Sequence, residues 1–151
     1  MFNFLKPNVE KLKERRDVKG LIKALSHKDV TIRVEAARAL ADVGDPSAVE
    51  ALTEALRDDS TDVRKAAVKA LARIADERAV DALAKALKDE SLDVRVEAAK
   101  ALAEIGQKKT KEIVETISGI LDVPKDVAAK ILEDNRLMDK AKEKFKDFIR
   151  K

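Results

Sequence analysis

Apolar positions in this chain fall into two kinds of helical stripe that alternate, and the whole pattern returns every 31 residues without a gap. Leu21, Leu52 and Leu83 share one register, as do Leu25, Leu56 and Leu87, Ala36, Ala67 and Ala98, and Leu40, Leu71 and Leu102. Ile32, Ala36, Ala39, Leu40 and Val43 lie at the three- and four-residue spacing of one helix face, and Val63 to Ile74 and Val94 to Ile105 repeat it. A second, shorter stripe precedes each: Val18, Leu21, Ile22 and Leu25, then Val49, Leu52 and Leu56, then Val80, Leu83 and Leu87. Two helices per unit at a fixed period predict an all-α fold, a right-handed α-solenoid of stacked helix pairs.

The polar residues between the stripes predict where helices start and stop. Asp29, Ser60 and Ser91 stand where the second helix of each unit needs an N-cap, and Asp62 and Asp93 place negative charge in its first turn. Gly44 and Gly106 follow the last apolar residue, where a left-handed stop is easiest, while Ala75 in that place predicts a different ending for the middle unit. The pairs Ala36-Ala37, Ala66-Ala67 and Ala98-Ala99 leave room for neighbouring helices to approach closely.

The ends depart from the period. Val9 and Leu12 lie 31 residues before Leu40 and Val43, so residues 1–16 read as a truncated capping unit ahead of three repeats over 17–108. At 109–135 the register slips by one: Val127 to Leu132 matches Glu97 to Leu102, Ile113 and Ile117 match Leu83 and Leu87, and Pro124 suits a first helical position. That predicts a degenerate fourth repeat, followed over 136–151 by an amphipathic capping helix with Leu137, Met138, Ala141, Phe145, Phe148 and Ile149 on one face. The alternative is a separate small helical domain from about residue 110.

Composition narrows the chemistry. Cysteine is absent and there is one histidine, so thiolate nucleophiles, disulfides and zinc-thiolate sites are excluded, and His27 has no second imidazole with which to share a metal. The four glycines form no phosphate loop, and the Asp58-Asp59 and Asp89-Glu90 pairs sit at repeated turns, where carboxylates cap helices. No catalytic, cofactor or metal site is expected. The apolar start contains Asn3 and runs into Lys6 and Pro7, which fits neither a secretory signal nor a membrane span, so the expected location is the cytoplasm. Charged residues make up 40% of the chain, and the formal net charge of +3 is unevenly placed: +3 over 1–19, −3 over 20–107 and +3 over 108–151. With no cysteine and abundant Lys and Glu, the composition is thermophile-like.

The stretch DDSTDVRKAAVKALARIADERAVDALAKALKDESLDVRVEAAKALAEIG carries an Asp, then Val-Arg, Ala-Ala and Ala-Leu, in each of two units. It resembles the armadillo-like, HEAT-like repeats of the phycobilisome lyase type, over about residues 17 to 108. The resemblance implies a ladder of charge-assisted hydrogen bonds between adjacent turns, formed by an Asp and an Arg six residues apart, which Asp58 with Arg64 and Asp89 with Arg95 fit. His27 stands in the first unit's Asp position, which leaves the Arg33 rung open. It also implies that the second helices line a concave, partner-binding face. There the sequence puts Val34, Glu35, Arg38 and Asp42, then Lys65, Lys69 and Arg73, then Val96, Glu97, Lys100 and Glu104, with Val34 and Val96 as exposed apolar residues and Arg38, Lys69 and Lys100 as a basic row.

The function expected on these grounds is a non-catalytic scaffold that binds an acidic patch on another protein. One alternative is a nucleic-acid phosphate-backbone binder, against which the −3 balance of the repeats argues. Another is a bilin lyase or chromophore-protein chaperone, although no Trp, Tyr or repeat Phe is present to wall a tetrapyrrole pocket. Iron chemistry of the His-Glu type found in some relatives is excluded by the single histidine. The aromatic, basic ends also suit a membrane headgroup layer or a weak homodimer, against a monomer.

Overall fold

The computed structural model describes residues 6–133, apart from the side chains of Ile113, Ile117, Leu121, Ile131 and Leu132. Phe2, Phe4 and the expected capping helix over 136–151 lie outside the described residues, as do the side chains of Ile113 and Ile117. The described residues are helical throughout, with no strand. They are α1 (Val9–Glu14), α2 (Val18–Ala24), α3 (Val30–Val43), α4 (Val49–Ala55), α5 (Thr61–Ile74), α6 (Val80–Ala86), α7 (Leu92–Leu121) and α8 (Lys125–Glu133), with short 3-10 turns at Pro46–Ala48 and Glu77–Ala79. The chain forms two compact units, Met1–Ile105 and Gly106–Lys151.

The first unit is built from the helix pairs α2/α3, α4/α5 and α6 with the opening part of α7. Its core is the 31-residue pattern made solid: Leu21, Leu52 and Leu83 are fully buried, and so are Leu40 with Leu71 and Ala36, Ala67 and Ala98. Each such leucine stabilises the fold by roughly 1.5–3 kcal/mol through burial. The alanines between them leave no bulk to hold α3 and α5 apart. Burial fades along the stack in one register, from Leu25 at 7% exposed through half-buried Leu56 to Leu87 at 40%. Val80 and Leu87, expected in the core stripe, are therefore exposed.

The starts predicted at Asp29 and Ser60 hold by side-chain capping, and α7 begins at Leu92, directly after Ser91. Asp29 Oδ1 accepts from Thr31 N and Ser60 Oγ from Val63 N. The Thr31 amide, with Lys6 assisting, holds the Asp29 carboxyl below its ordinary range against the opposing effect of burial. At the front, Asn8 Oδ1 accepts from Lys11 N and caps α1, whose Val9 is buried against the first pair.

Two predicted stops are corrected. Gly44 ends α3 left-handed at φ 70, as expected, but Ala75 ends α5 in the same way at φ 53, so the middle unit does not close differently. What the two stops share is the next residue: Asp45 Oδ1 accepts from Ser47 N and Asp76 Oδ1 from Arg78 N, each nucleating a 3-10 turn. Gln107 stands in that place after Gly106 and supplies no such carboxylate. Gly106 is accordingly inside α7, with Thr110 Oγ1 donating to its carbonyl, and the third repeat has no closing turn.

In the second unit α7 ends at Leu121, Asp122 turns at φ 51, and Ser118 Oγ donates to Val123 O before α8. Pro124 sits one residue before the helix, its carbonyl accepting from Ala128 N.

Candidate partner-binding groove

Successive arginines lock the repeats together along the turns between first and second helices. Arg33 Nε and Nη2 donate to Asp58 Oδ2 and Oδ1 at 2.9 and 3.2 Å, while its Nη1 donates to the carbonyls of His27 and Lys28 at 2.9 and 3.2 Å. Arg64 repeats this against Asp89, at 3.0 and 3.3 Å, and against the carbonyls of Asp58 and Asp59, at 2.8 and 3.2 Å. Each rung thus pairs an arginine with the aspartate 25 residues ahead, in the next unit, while the residue six behind, His27 or Asp58, offers it a backbone carbonyl. Arg95 Nη1 likewise donates to Asp89 O, at 2.6 Å.

His27 therefore does not weaken the Arg33 rung, which is fully formed. Its Nδ1 accepts from Asp29 N at 3.0 Å, the bond that Asp58 Oδ1 takes from Ser60 N and Asp89 Oδ1 from Ser91 N. The imidazole is half-buried and imitates the missing carboxylate. Burial would push the Asp89 carboxyl up, but the Ser91 amide and the Arg64 guanidinium outweigh it and hold the group below its ordinary range. Arg64 is the buried charged residue among the described residues, 6% exposed, and no buried side-chain polar atom among them lacks a hydrogen-bond partner.

With the ladder occupied in holding the stack, the other face of the second helices remains. A groove of about 400 Å³ runs between α3 and α5, lined by Arg38, Lys65, Lys69, Arg73, Asp42 and Asp62 over a floor of Ala41 and Ala66. Of the residues expected on this face, Arg38, Lys65, Lys69 and Arg73 meet in the groove; Val34, Glu35, Val96, Glu97 and Lys100 lie outside it. Val34 is half-buried and packs on the core, so it is not the exposed apolar residue expected, whereas Val96 is 43% exposed. Asp62, taken from its position as a helix-start charge, lines the groove as well, and the alanine floor carried no polar signal that could have marked it.

The cations are not equivalent. Arg73 Nη1 lies 2.9 Å from Asp42, its counterpart 31 residues earlier, and Lys65 Nζ lies 3.8 Å from Asp93. Asp42 is also 3.8 Å from Lys13. Lys100 Nζ is 3.7 Å from Glu97 within its own helix. Among the described residues no ion pair engages Arg38 or Lys69, and both are exposed. Four cations against two carboxylates leave the groove positive, within a repeat region that is net acidic.

A larger cavity, about 610 Å³, opens between α2 and α4 beside His27, and its counterpart one unit on measures about 320 Å³. Arg57 stands in the second where the first has Ser26, and Arg78 lines the second as well. In the larger one Arg33 and Asp58 are bound to each other, and Lys28 and Arg57 are balanced by Glu54 and Asp59. It has no surplus of either charge. Among the described residues no group of three or more His, Asp or Glu is placed to hold a metal ion, and no helix is long and apolar enough to cross a membrane.

Regular helix pairs joined by an Arg-Asp ladder define an α-solenoid, and the comparisons agree. The family model for HEAT repeats matches residues 9–66 and 50–133, so the chain belongs to the HEAT repeat family. Among solved structures, two engineered proteins from the Northeast Structural Genomics Consortium are similar, each at 28% identity, with TM-scores of 0.53 and 0.54 over 89% and 92% of this chain. The matched part is 39% and 66% of those chains. No curated protein matches the sequence.

Proposed function

We propose that this chain is a non-catalytic protein-interaction scaffold that takes an acidic surface of another protein into the groove between α3 and α5. HEAT repeats generally serve as interaction scaffolds, which supports the class. The observation that carries the site is the contrast between Arg73 and Lys65, each neutralised by a carboxylate, and Arg38 and Lys69, exposed in the same groove without one. A carboxylate-bearing partner completes those two charges. The floor of alanine, with no Trp or Tyr in the chain, suits a contact that is fast and salt-sensitive, since aromatic anchors supply most tight interfaces.

This reading takes the scaffold to work in the cytoplasm. The lyase-type character of the repeat signature belongs to the same proposal as kinship of sequence, without bilin chemistry; mixing the protein with free bilins should leave their absorbance unchanged.

The test is charge reversal. Arg38→Glu with Lys69→Glu should remove partners that the wild-type protein captures from lysate, while Arg57→Glu, on the other side of the repeats, should not. Unchanged capture by the double variant would overturn the site. A mobility shift with duplex DNA that weakens steeply with salt would point to phosphate backbone binding in its place.

A further inference from the structure

The groove is one step of a longer periodic feature. Position by position, the rows on this side of the second helices read Val34-Lys65-Val96, Glu35-Ala66-Glu97, Arg38-Lys69-Lys100 and Asp42-Arg73-Glu104. Of these, the Arg38 row alone has one sign of charge in all three repeats. Next to it, one turn on, runs the row Ala41-Ala72-Ala103. A line of cations therefore lies beside a line of methyl groups, both running across the helices.

The spacing of that line follows from the packing. Residues at equivalent positions on adjacent stacked helices are separated by about the interaxial distance, 8–10 Å. A peptide matching the row must present a carboxylate on one face about every 9 Å. A β-strand does not: its same-face residues recur at about 6.7 Å, and residues three apart point to opposite faces. A polyproline II helix does, with three residues per turn and about 3.1 Å per residue, so that each third side chain returns to the same face after about 9.3 Å. Its prolines need a small-residue floor, and Ala41 and Ala66 supply one in the groove beside Arg38 and Lys69.

We infer that the partner segment is an acidic peptide in polyproline II conformation, running across the second helices with a carboxylate at every third residue over Arg38, Lys69 and Lys100. This rests on the reading of the groove given above and specifies its ligand. Lys100 is drawn in by exchanging its exposed contact with Glu97, 3.7 Å away, for the peptide carboxylate. Asp42 does not repel the peptide strongly, because Arg73 and Lys13 both face it.

The experiment titrates the full chain into three fluorescein-labelled peptides followed by anisotropy. One has three Glu-Pro-Pro units, one has the same composition as Glu-Glu-Glu followed by six Pro, and one is an Ala-rich helix former with Glu seven residues apart. The spaced peptide should bind about fivefold or more tightly than the blocked one, the scale of one additional exposed ion pair. Lys69→Ala should erase that preference, whereas Lys88→Ala, off the row, should keep it. Equal binding of the spaced and blocked peptides would sink the spacing while leaving the electrostatic groove intact. Tighter binding by the helical peptide would replace the conformation. Binding by none of the three would end this inference, and the groove itself would then be judged by the charge-reversal capture alone.

Discussion

The chain closes its repeats in two ways. After α3 and α5 one residue turns left-handed and an aspartate follows to cap the next amide, so the helix stops within a single residue of its last core contact. After the same apolar stripe in α7, Gly106 stays helical and the helix runs on to Leu121. The residue that stops α5 is an alanine and the one that fails to stop α7 is a glycine, so backbone permissiveness does not decide the matter. What sets α3 and α5 apart is the aspartate that follows, whose carboxylate accepts from Ser47 N or Arg78 N and nucleates the next turn. The rungs differ in parallel. Arg33 and Arg64 each grip an aspartate 25 residues ahead, whereas the residue 25 after Arg95 is Ile120.

The rung difference should give the largest effects. Arg64→Ala leaves Asp89 without its guanidinium in a half-buried site and should cost about 3–5 kcal/mol, while Arg95→Ala should cost about 1 kcal/mol, both read from urea unfolding. Equal losses would show that the forward aspartate contributes nothing. The acid limb should report the same pair. The Asp89 carboxyl is held below its ordinary value of 3.8, so its contribution is fully present above that pH and is lost as the pH falls through the lower, folded-state value. Acid unfolding of Arg64→Ala should begin at higher pH than that of the wild type.

Next in size is a transplant of the closing signal. Gln107→Asp with Lys108→Pro recreates the Gly-Asp-Pro sequence found at residues 44–46 and should end α7 near Gly106, with about 3 kcal/mol of helix-breaking effect from the proline. Amide hydrogen exchange that stays protected through 106–112 would refute the capping argument. Smaller still, alanine at the two glycines should act with opposite sign. Gly44→Ala forces a Cβ into φ 70 and should destabilise by about 1 kcal/mol, whereas Gly106→Ala, whose Cβ meets nothing within 4 Å, should stabilise by about the same amount. Ala75→Gly should gain about 1 kcal/mol by relieving the left-handed alanine. The smallest effect is His27→Asp, which restores the carboxylate of the later units and should raise the melting temperature by a few degrees at most, since one hydrogen bond to Asp29 N is exchanged for another. A loss of stability there would mean the imidazole contributes packing that an aspartate cannot.

The helix pairs were legible because their signal is periodic and redundant. Leu21, Leu52 and Leu83 identify one buried position three times over, and Asp29 and Ser60 mark helix starts by local chemistry alone. The ladder was legible in its residues and not in its pairing: a six-residue spacing in one chain segment resembles a contact, and only stacking revealed that Asp58 serves Arg33. The groove was half legible. Periodicity places Arg38, Lys69 and Arg73 on one face, but it also makes Val34 an exposed residue, whereas Val34 is half-buried against the core. Which cations are already paired depends on Asp42 and Asp93 reaching across from adjacent helices, and no pattern within one helix carries that information.

Sequence alone determined that this is a stack of helix pairs, where most of the helices begin, and which positions can hold charge, because those properties follow from local periodicity and capping. Tertiary structure decided which aspartate each arginine grips, that α7 runs through Gly106, and that Arg38 and Lys69 keep their charges available. Those outcomes turn on distances between residues 25 to 31 apart in the chain and on the competition between a helix continuing and a turn being capped. Only the packed stack fixes the first, and the second follows from the residue after the left-handed one.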